Sequence, residues 1–303
     1  MTGTSLDMNF SAVVFGLWAL GLMYYGIRTV TIGRYRTSRV DQMGGTRLFG
    51  QYLMEFGYWF VHGITNFFIR RRVGPNAITI LSFLVALASA VALFFGSFGL
   101  GGWLMIAAAL LDIMDGWVAR ALGVAGEAGE YFDSIIDRYC ELTAFIAVMG
   151  YYFHFARQPL LALVVGLALI ASIMITYART KGEAQGVTGV PSGLMRRHER
   201  YVYIGVGTAV SPIPAVFLEH GVARPVYHVA IAAFALVAIV GNYTAIKLAV
   251  QYHRRLREAA PAGGNGHGVV ATPDQPVIPE PASVLATAEV ARGRIEEGSR
   301  AEG

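Results

Sequence analysis

Seven apolar runs in this chain reach about 20 residues, the length of helix that crosses a bilayer core. They lie near 9–30, 77–98, 101–122, 131–153, 160–180, 201–218 and 227–250. The first run lacks a basic stretch before it and an A-x-A site after it, and Arg28, Arg34, Arg36 and Arg39 follow instead. It reads as an anchor with its N-terminus outside, not as a cleaved signal. Between the first two runs, Thr46 to Arg72 is rich in aromatic residues and ends in three arginines. That pattern predicts an interfacial helix lying along the membrane. From Ala259 onward Pro, Gly, Ala and Glu dominate with little apolar periodicity, which predicts a disordered tail. The expected organisation is an anchor and basic linker over 1–45, a helical membrane domain over 46–258 and a tail over 259–303.

Composition agrees with this pattern. The 303 residues are 55% hydrophobic and only 15% charged, with a mean hydropathy of +0.50, whereas soluble domains carry about a quarter charged residues. The net charge of +4 and pI near 9.2 point to anionic headgroups on the cytoplasmic side and not to nucleic acid. Of 24 Lys and Arg, only Arg157 and Arg224 fall in the segments expected outside. This asymmetry orients the protein in the inner cell membrane. The single cysteine, Cys140, excludes an intramolecular disulfide framework, and the seven histidines show no paired metal-ligand spacing.

Four acids disturb the apolar pattern. Asp112 and Asp115 stand one helical turn apart at the end of one span, and Asp133 and Asp137 one turn apart at the start of the next. An aspartate near the middle of a span costs about 2.5–3.5 kcal/mol on insertion scales, so four sum to on the order of 10 kcal/mol. Spacings of three and four place each pair on one face of its helix. Two facing helices would then converge four carboxylates, which repel unless cations sit between them. Hard divalent ions with oxygen ligands, Mg²⁺ or Mn²⁺, suit such a cluster. The bland alternative pairs the acids with Arg120, Arg138 and other basic side chains.

The full spacing is Asp112-x2-Asp115-Gly116-x2-Ala119-Arg120-x8-Gly129-x3-Asp133-x3-Asp137, eight fixed positions over 26 residues. It resembles, at every fixed position, the signature of the CDP-alcohol phosphotransferase family of integral membrane enzymes. "GPNAIT", Gly74 to Thr79, looks like the start of that family's first core helix. The resemblance covers about residues 46–250 and implies an all-α membrane fold. Its core would be six helices, with the interfacial helix before it and one extra N-terminal transmembrane helix. It also implies transfer of a phosphatidyl group from CDP-diacylglycerol to an acceptor hydroxyl, with release of CMP. By similarity, Asp112, Asp115 and Asp133 bind a pair of Mg²⁺ or Mn²⁺ ions, and Asp137 contributes a ligand oxygen and acts as general base. Gly116, Ala119, Arg120 and Gly129 would hold the nucleotide donor. Small residues at these sites also fit tight helix packing, and the spacing favours nucleotide contact. Similar enzymes are homodimers, and the same is expected here.

The acceptor is read from the basic residues. Arg179, Lys181, Arg196, Arg197 and Arg200 flank the same predicted cytoplasmic cavity, and Arg forks suit phosphate. The Tyr-x-Arg-x-Lys run and the His-Glu-Arg segment resemble the regions where bacterial phosphatidylinositol-phosphate synthases bind their acceptor, with Arg179 standing where a Lys is expected. A phosphorylated polyol, inositol phosphate or glycerol 3-phosphate, is therefore the expected acceptor, against serine or another small alcohol. A polyprenyl transferase also uses aspartate-rich helices but lacks the Ala-Arg-x8-Gly linker. A divalent-cation transporter would place its acids near the midplane on broken helices.

Overall fold

The computed structural model describes residues 3–33, 50–191, 195–219 and 222–259. The helices run α1 (Gly3–Thr31), α2 (Gly50–Arg70), α3 (Pro75–Phe94), α4 (Phe98–Ala121), α5 (Glu127–Gly150), α6 (Pro159–Ala184), α7 (Arg197–Val210), α8 (Pro212–Leu218) and α9 (His228–Ala259). A π-helical turn, Tyr151–Phe155, extends α5. No strand occurs among the described residues. Most of the expected basic linker and nearly all of the expected tail lie outside them.

Each of the seven apolar runs falls on helix. Helices α1, α3, α4, α6 and α9 are long and apolar enough to cross a membrane, and α7 with α8 makes a sixth such element, bent by 45°. The run at 201–218 is thus not the single straight span its composition suggests. Pro212 has no N–H to continue the ladder, so the helix breaks at Ser211–Pro212. Helix α5 has the length of a span but not the apolarity, because Glu127, Glu130, Asp133, Asp137, Arg138 and Glu141 are spread from its first residue to beyond its middle.

Small and hydroxylated residues bring the helices together, as expected where lipid removes the usual hydrophobic drive between helices. Ser89 Oγ donates to the Gly101 carbonyl at 2.7 Å and Ser82 Oγ to the Ala108 carbonyl at 2.9 Å, two rungs between antiparallel α3 and α4. A methyl on Gly102 would overlap the Ala209 backbone, and one on Gly205 would press on Ile106, so α7 runs antiparallel against α4. Gly182 seats the Tyr252 ring and Gly241 meets Ala171, which sets α9 parallel to α6. Cys140 is buried with Ala86 and Ala108 as a small packing residue.

The segment expected as an interfacial helix is helical from Gly50. It buries Val61 with Ile78, Met114 and Val118 of α3 and α4, while Phe60, Ile64 and Phe67 stay exposed. The extra N-terminal helix is built into the bundle at both ends. Tyr25 lies among the Tyr52, Phe56 and Trp59 rings of α2. At the other end the Asp7 carboxylate accepts from the Gly99 N–H at 2.8 Å and the Leu100 N–H at 2.9 Å. These are first-turn donors of α4, which have no partner inside their own helix. Ser11 Oγ donates to the Ala209 carbonyl at 2.6 Å, beside the α7–α8 break, where backbone groups freed from the ladder need partners.

Candidate active site

Helices α4 and α5 meet through a five-residue connection. Gly123 closes α4 at φ +69°, a conformation that costs glycine little and side-chain-bearing residues more. The Val124 N–H then reaches back to the Ala119 carbonyl at 2.9 Å. This tight reversal sets the end of α4 beside the start of α5, as the spacing of the acids requires.

Three of the four aspartates converge. Asp112, Asp133 and Asp137 each offer an oxygen, and these oxygens lie within 4.8 Å of one another; Asp112 and Asp133 are half-buried and Asp137 is buried. Oxygens bound to one Mg²⁺ at about 2.1 Å stand about 3–4 Å apart, so slight closure fits this set to a hard divalent cation. Carboxylates brought this close repel, and a cation between them relieves the repulsion. Asp115 is not part of this group. It is buried, and its Oδ2 accepts a hydrogen bond from Thr79 Oγ1 at 2.6 Å. The rung is the third between α3 and α4, and it accounts for the threonine at the start of α3. An ionised carboxylate has further lone pairs, so this bond does not exhaust Asp115 as a ligand.

The other motif positions line the open side. The Arg120 guanidinium lies against Gly116, where a methyl would sit 3.4 Å from Nη1, and Arg120 is exposed. A methyl on Gly129 would meet nothing within 4 Å. Ala119 is partly exposed. Neither motif glycine serves close helix packing, in contrast to Gly101 and Gly102 of the same helix α4.

The basic residues expected at the acceptor divide into two groups. Arg179 is half-buried near the end of α6, Lys181 is exposed, and Arg196 is exposed at the N-cap of α7, where its N–H donates to Glu199 Oε2 at 2.8 Å. The Arg197 side chain lies outside the described residues. The contacts of Gly102 with Ala209 and Ile106 with Gly205, extended by helical turns, put the start of α7 level with Asp112 and Asp115. Arg200 differs from the others. It is 1% exposed, with Nη2 on Glu141 Oε1 at 3.2 Å and Nη1 on the Met195 carbonyl at 3.2 Å. Its guanidinium is committed to the protein interior, where the sequence suggested a direct acceptor contact. Glu141 escaped the sequence reading altogether, although it continues the Asp133, Asp137 spacing by one more turn. Ser172, which donates to Glu141, carries no comparable signal.

The family model for CDP-alcohol phosphatidyltransferase matches residues 72–245, and the chain belongs to that family. It is an enzyme, a phosphatidyltransferase, and a multi-pass membrane protein. Phosphatidylinositol phosphate synthase of Mycobacterium tuberculosis is 31% identical over 149 residues, 48% of this chain and 68% of that protein. Archaetidylinositol phosphate synthase of Pyrococcus horikoshii is 30% identical over 143 residues, 46% of this chain and 72% of that protein. The fold matches the M. tuberculosis synthase crystallised with CDP-DAG bound, with a TM-score of 0.57 at 21% identity over 69% of this chain and 98% of that one. It also matches the same synthase in complex with manganese and citrate, with a TM-score of 0.56 at 24% identity over 68% of this chain and 93% of that one.

Proposed function

We propose that this enzyme transfers the phosphatidyl group of CDP-diacylglycerol to a hydroxyl of a phosphorylated polyol, inositol phosphate first among the candidates, and releases CMP. The observation that carries the reading is the level of the basic α7 turn with the converged carboxylates. That arrangement offers cations for an anionic acceptor beside a metal site for the donor. Named relatives that make inositol-phosphate lipids support the choice of acceptor.

Asp112, Asp115 and Asp133 are assigned to hold two divalent cations, Mg²⁺ or Mn²⁺, with Asp137 supplying a further oxygen. The cations, when bound, neutralise the pyrophosphate oxygens that would otherwise repel a nucleophile. Asp137 takes the proton of the acceptor hydroxyl as it attacks the phosphorus remote from the cytidine. Arg120 holds a donor phosphate, and Gly116, Ala119 and Gly129 leave room for the nucleotide along the helix backbones. Arg179, Lys181, Arg196 and Arg197 are assigned to the acceptor phosphate. The enzyme works as a homodimer in the inner cell membrane with this site on the cytoplasmic face. Residues 46–258 form the catalytic domain, with α2 along the membrane surface; the expected tail over 259–303 lies almost wholly outside the described residues.

The test is CMP release by purified enzyme with CDP-diacylglycerol and a panel of inositol, inositol phosphate, glycerol, glycerol 3-phosphate and serine. A site built around a charged group rejects analogues without it, because its cations are left unpaired. Inositol phosphate should be used at least a few hundredfold better than inositol, the effect of losing two charge-assisted bonds. Chelation should abolish release, and Mg²⁺ or Mn²⁺ should restore it. Equal use of inositol and its phosphate removes the acceptor assignment, and full activity in excess chelator removes the metal assignment.

A further inference from the structure

The spacing of acids along α5 does not stop at the motif. Asp133, Asp137 and Glu141 follow one another at intervals of four, on one face of the helix. Glu141 lies one turn deeper than Asp137 and is 4% exposed. Its Oε2 accepts from Arg138 Nη1 at 3.1 Å, and its Oε1 accepts from Arg200 Nη2 at 3.2 Å and from Ser172 Oγ. One carboxylate therefore ties together α5, α6 and α7. A buried ion pair is a poor source of net stability, because desolvation offsets most of the attraction. It does fix register, because its partners fit at one position only.

Helix α7 is held differently along its length. Its far half rides against α4 through glycine contacts, Gly102 on Ala209 and Gly205 on Ile106. Its near half reaches α5 through the long Arg200 side chain, whose Nη1 also ties back to the Met195 carbonyl ahead of the helix. The chain reverses between α5 and α6 and again between α6 and α7, so α5 and α7 run the same way. One turn back from Glu141 is Asp137, and one turn back from Arg200 is Arg196, the N-cap of α7. The Glu141–Arg200 bridge thus sets the level of the basic turn against the general base.

We propose that Glu141 is a positioning residue for the acceptor: acting through Arg200, it holds the first turn of α7 at the height where Arg196 meets an anionic headgroup beside Asp137. The proposal rests on the phosphorylated acceptor assigned above. The Glu141 oxygens are held by Arg138, Arg200 and Ser172. Loss of Glu141 moves the acceptor's cations and leaves the donor's contacts on α4 in place.

The experiment uses the full-length enzyme in lipid nanodiscs. CMP release is measured against inositol phosphate and, separately, against CDP-diacylglycerol, and Mn²⁺ binding is titrated by electron paramagnetic resonance without substrates. Glu141→Gln should raise the acceptor KM by about tenfold to a hundredfold, the scale of a misplacement of about 1 Å. The donor KM and the Mn²⁺ affinity should stay where they are in the wild type. Adding Arg200→Gln to Glu141→Gln removes the uncompensated buried charge, but the new side chain is too short to restore the bridge. The yield of folded enzyme should therefore recover while the acceptor KM stays raised; an acceptor KM back at the wild-type value overturns the proposal. Unchanged KM values, with loss only in the yield of folded enzyme, overturn the proposal. So does an equal rise in both KM values, or a weakened Mn²⁺ affinity. Should Glu141→Gln fail to fold, Ser172→Ala removes a single bond to the same carboxylate and is read in the same way. A rise in acceptor KM alone then supports the proposal, and no rise overturns it. A wild type that ignores the acceptor's phosphate disproves the functional assignment itself. A selective wild type with an unaltered Glu141→Gln acceptor KM disproves only this inference.

Discussion

The two ends of α4 use the same small residue for opposite purposes. At one end Gly99, Gly101 and Gly102 are buried, and a methyl there would overlap Asp7 and Ser11, Leu93, or the Ala209 backbone. At the other end Gly116 meets only the tip of a flexible arginine, and Gly129, across the connection, meets nothing. Glycine admits close backbone approach in both cases, but a neighbouring helix fills the space at one end and the site keeps it at the other. The packed end makes α4 a fixed rail, and the open end presents Asp112 from that rail toward Asp133 and Asp137. Precision at the site is thus supplied from the far side of the helix.

The largest test of this contrast is at the open end. Asp137→Asn should lower the rate of CMP release by at least about a hundredfold, the usual scale for removing a general base. The yield and melting temperature of the enzyme should hold, along with CDP-diacylglycerol binding. An active Asn variant places the base elsewhere. A smaller effect sharpens the comparison of the glycines themselves. Gly102→Val should cost about 1–3 kcal/mol of stability, typical of overpacking, and lower the melting temperature. Gly129→Val should leave the melting temperature alone and raise the donor KM. Matching behaviour of the two variants in both assays would abolish the distinction between the packed and the open end. The smallest effect belongs to the junction between the ends. Thr79→Val removes the donor to Asp115 and should lower activity by about threefold to tenfold, whereas Thr79→Ser should remain near wild type. A Val variant with wild-type activity would make that rung dispensable.

The helices and the aspartates were legible because both obey a period. Runs of about 20 apolar residues mark spans, and acids at intervals of three and four share a face. What stayed hidden depends on partners distant in sequence or on context. The break at Ser211–Pro212 is written in its prolines but lies within an otherwise continuous apolar run. The spacing could not separate Asp115, turned to Thr79, from Asp112. Arg200 looks like its basic neighbours, and only the position of Glu141 on another helix, 59 residues away, shows that it faces inward. The two kinds of glycine on α4 differ solely in what stands opposite them.

The Asp7 and Ser11 contacts also bear on the order in which the protein is assembled. The partners of Asp7 lie 92 and 93 residues further along the chain, and the partner of Ser11 lies 198 residues further. At about 5–20 residues per second, the ribosome reaches Ala209 about 10–40 s after Ser11. Helix α1 therefore waits in the membrane for a seat that does not yet exist, and it is fully fitted only after α7 has been made.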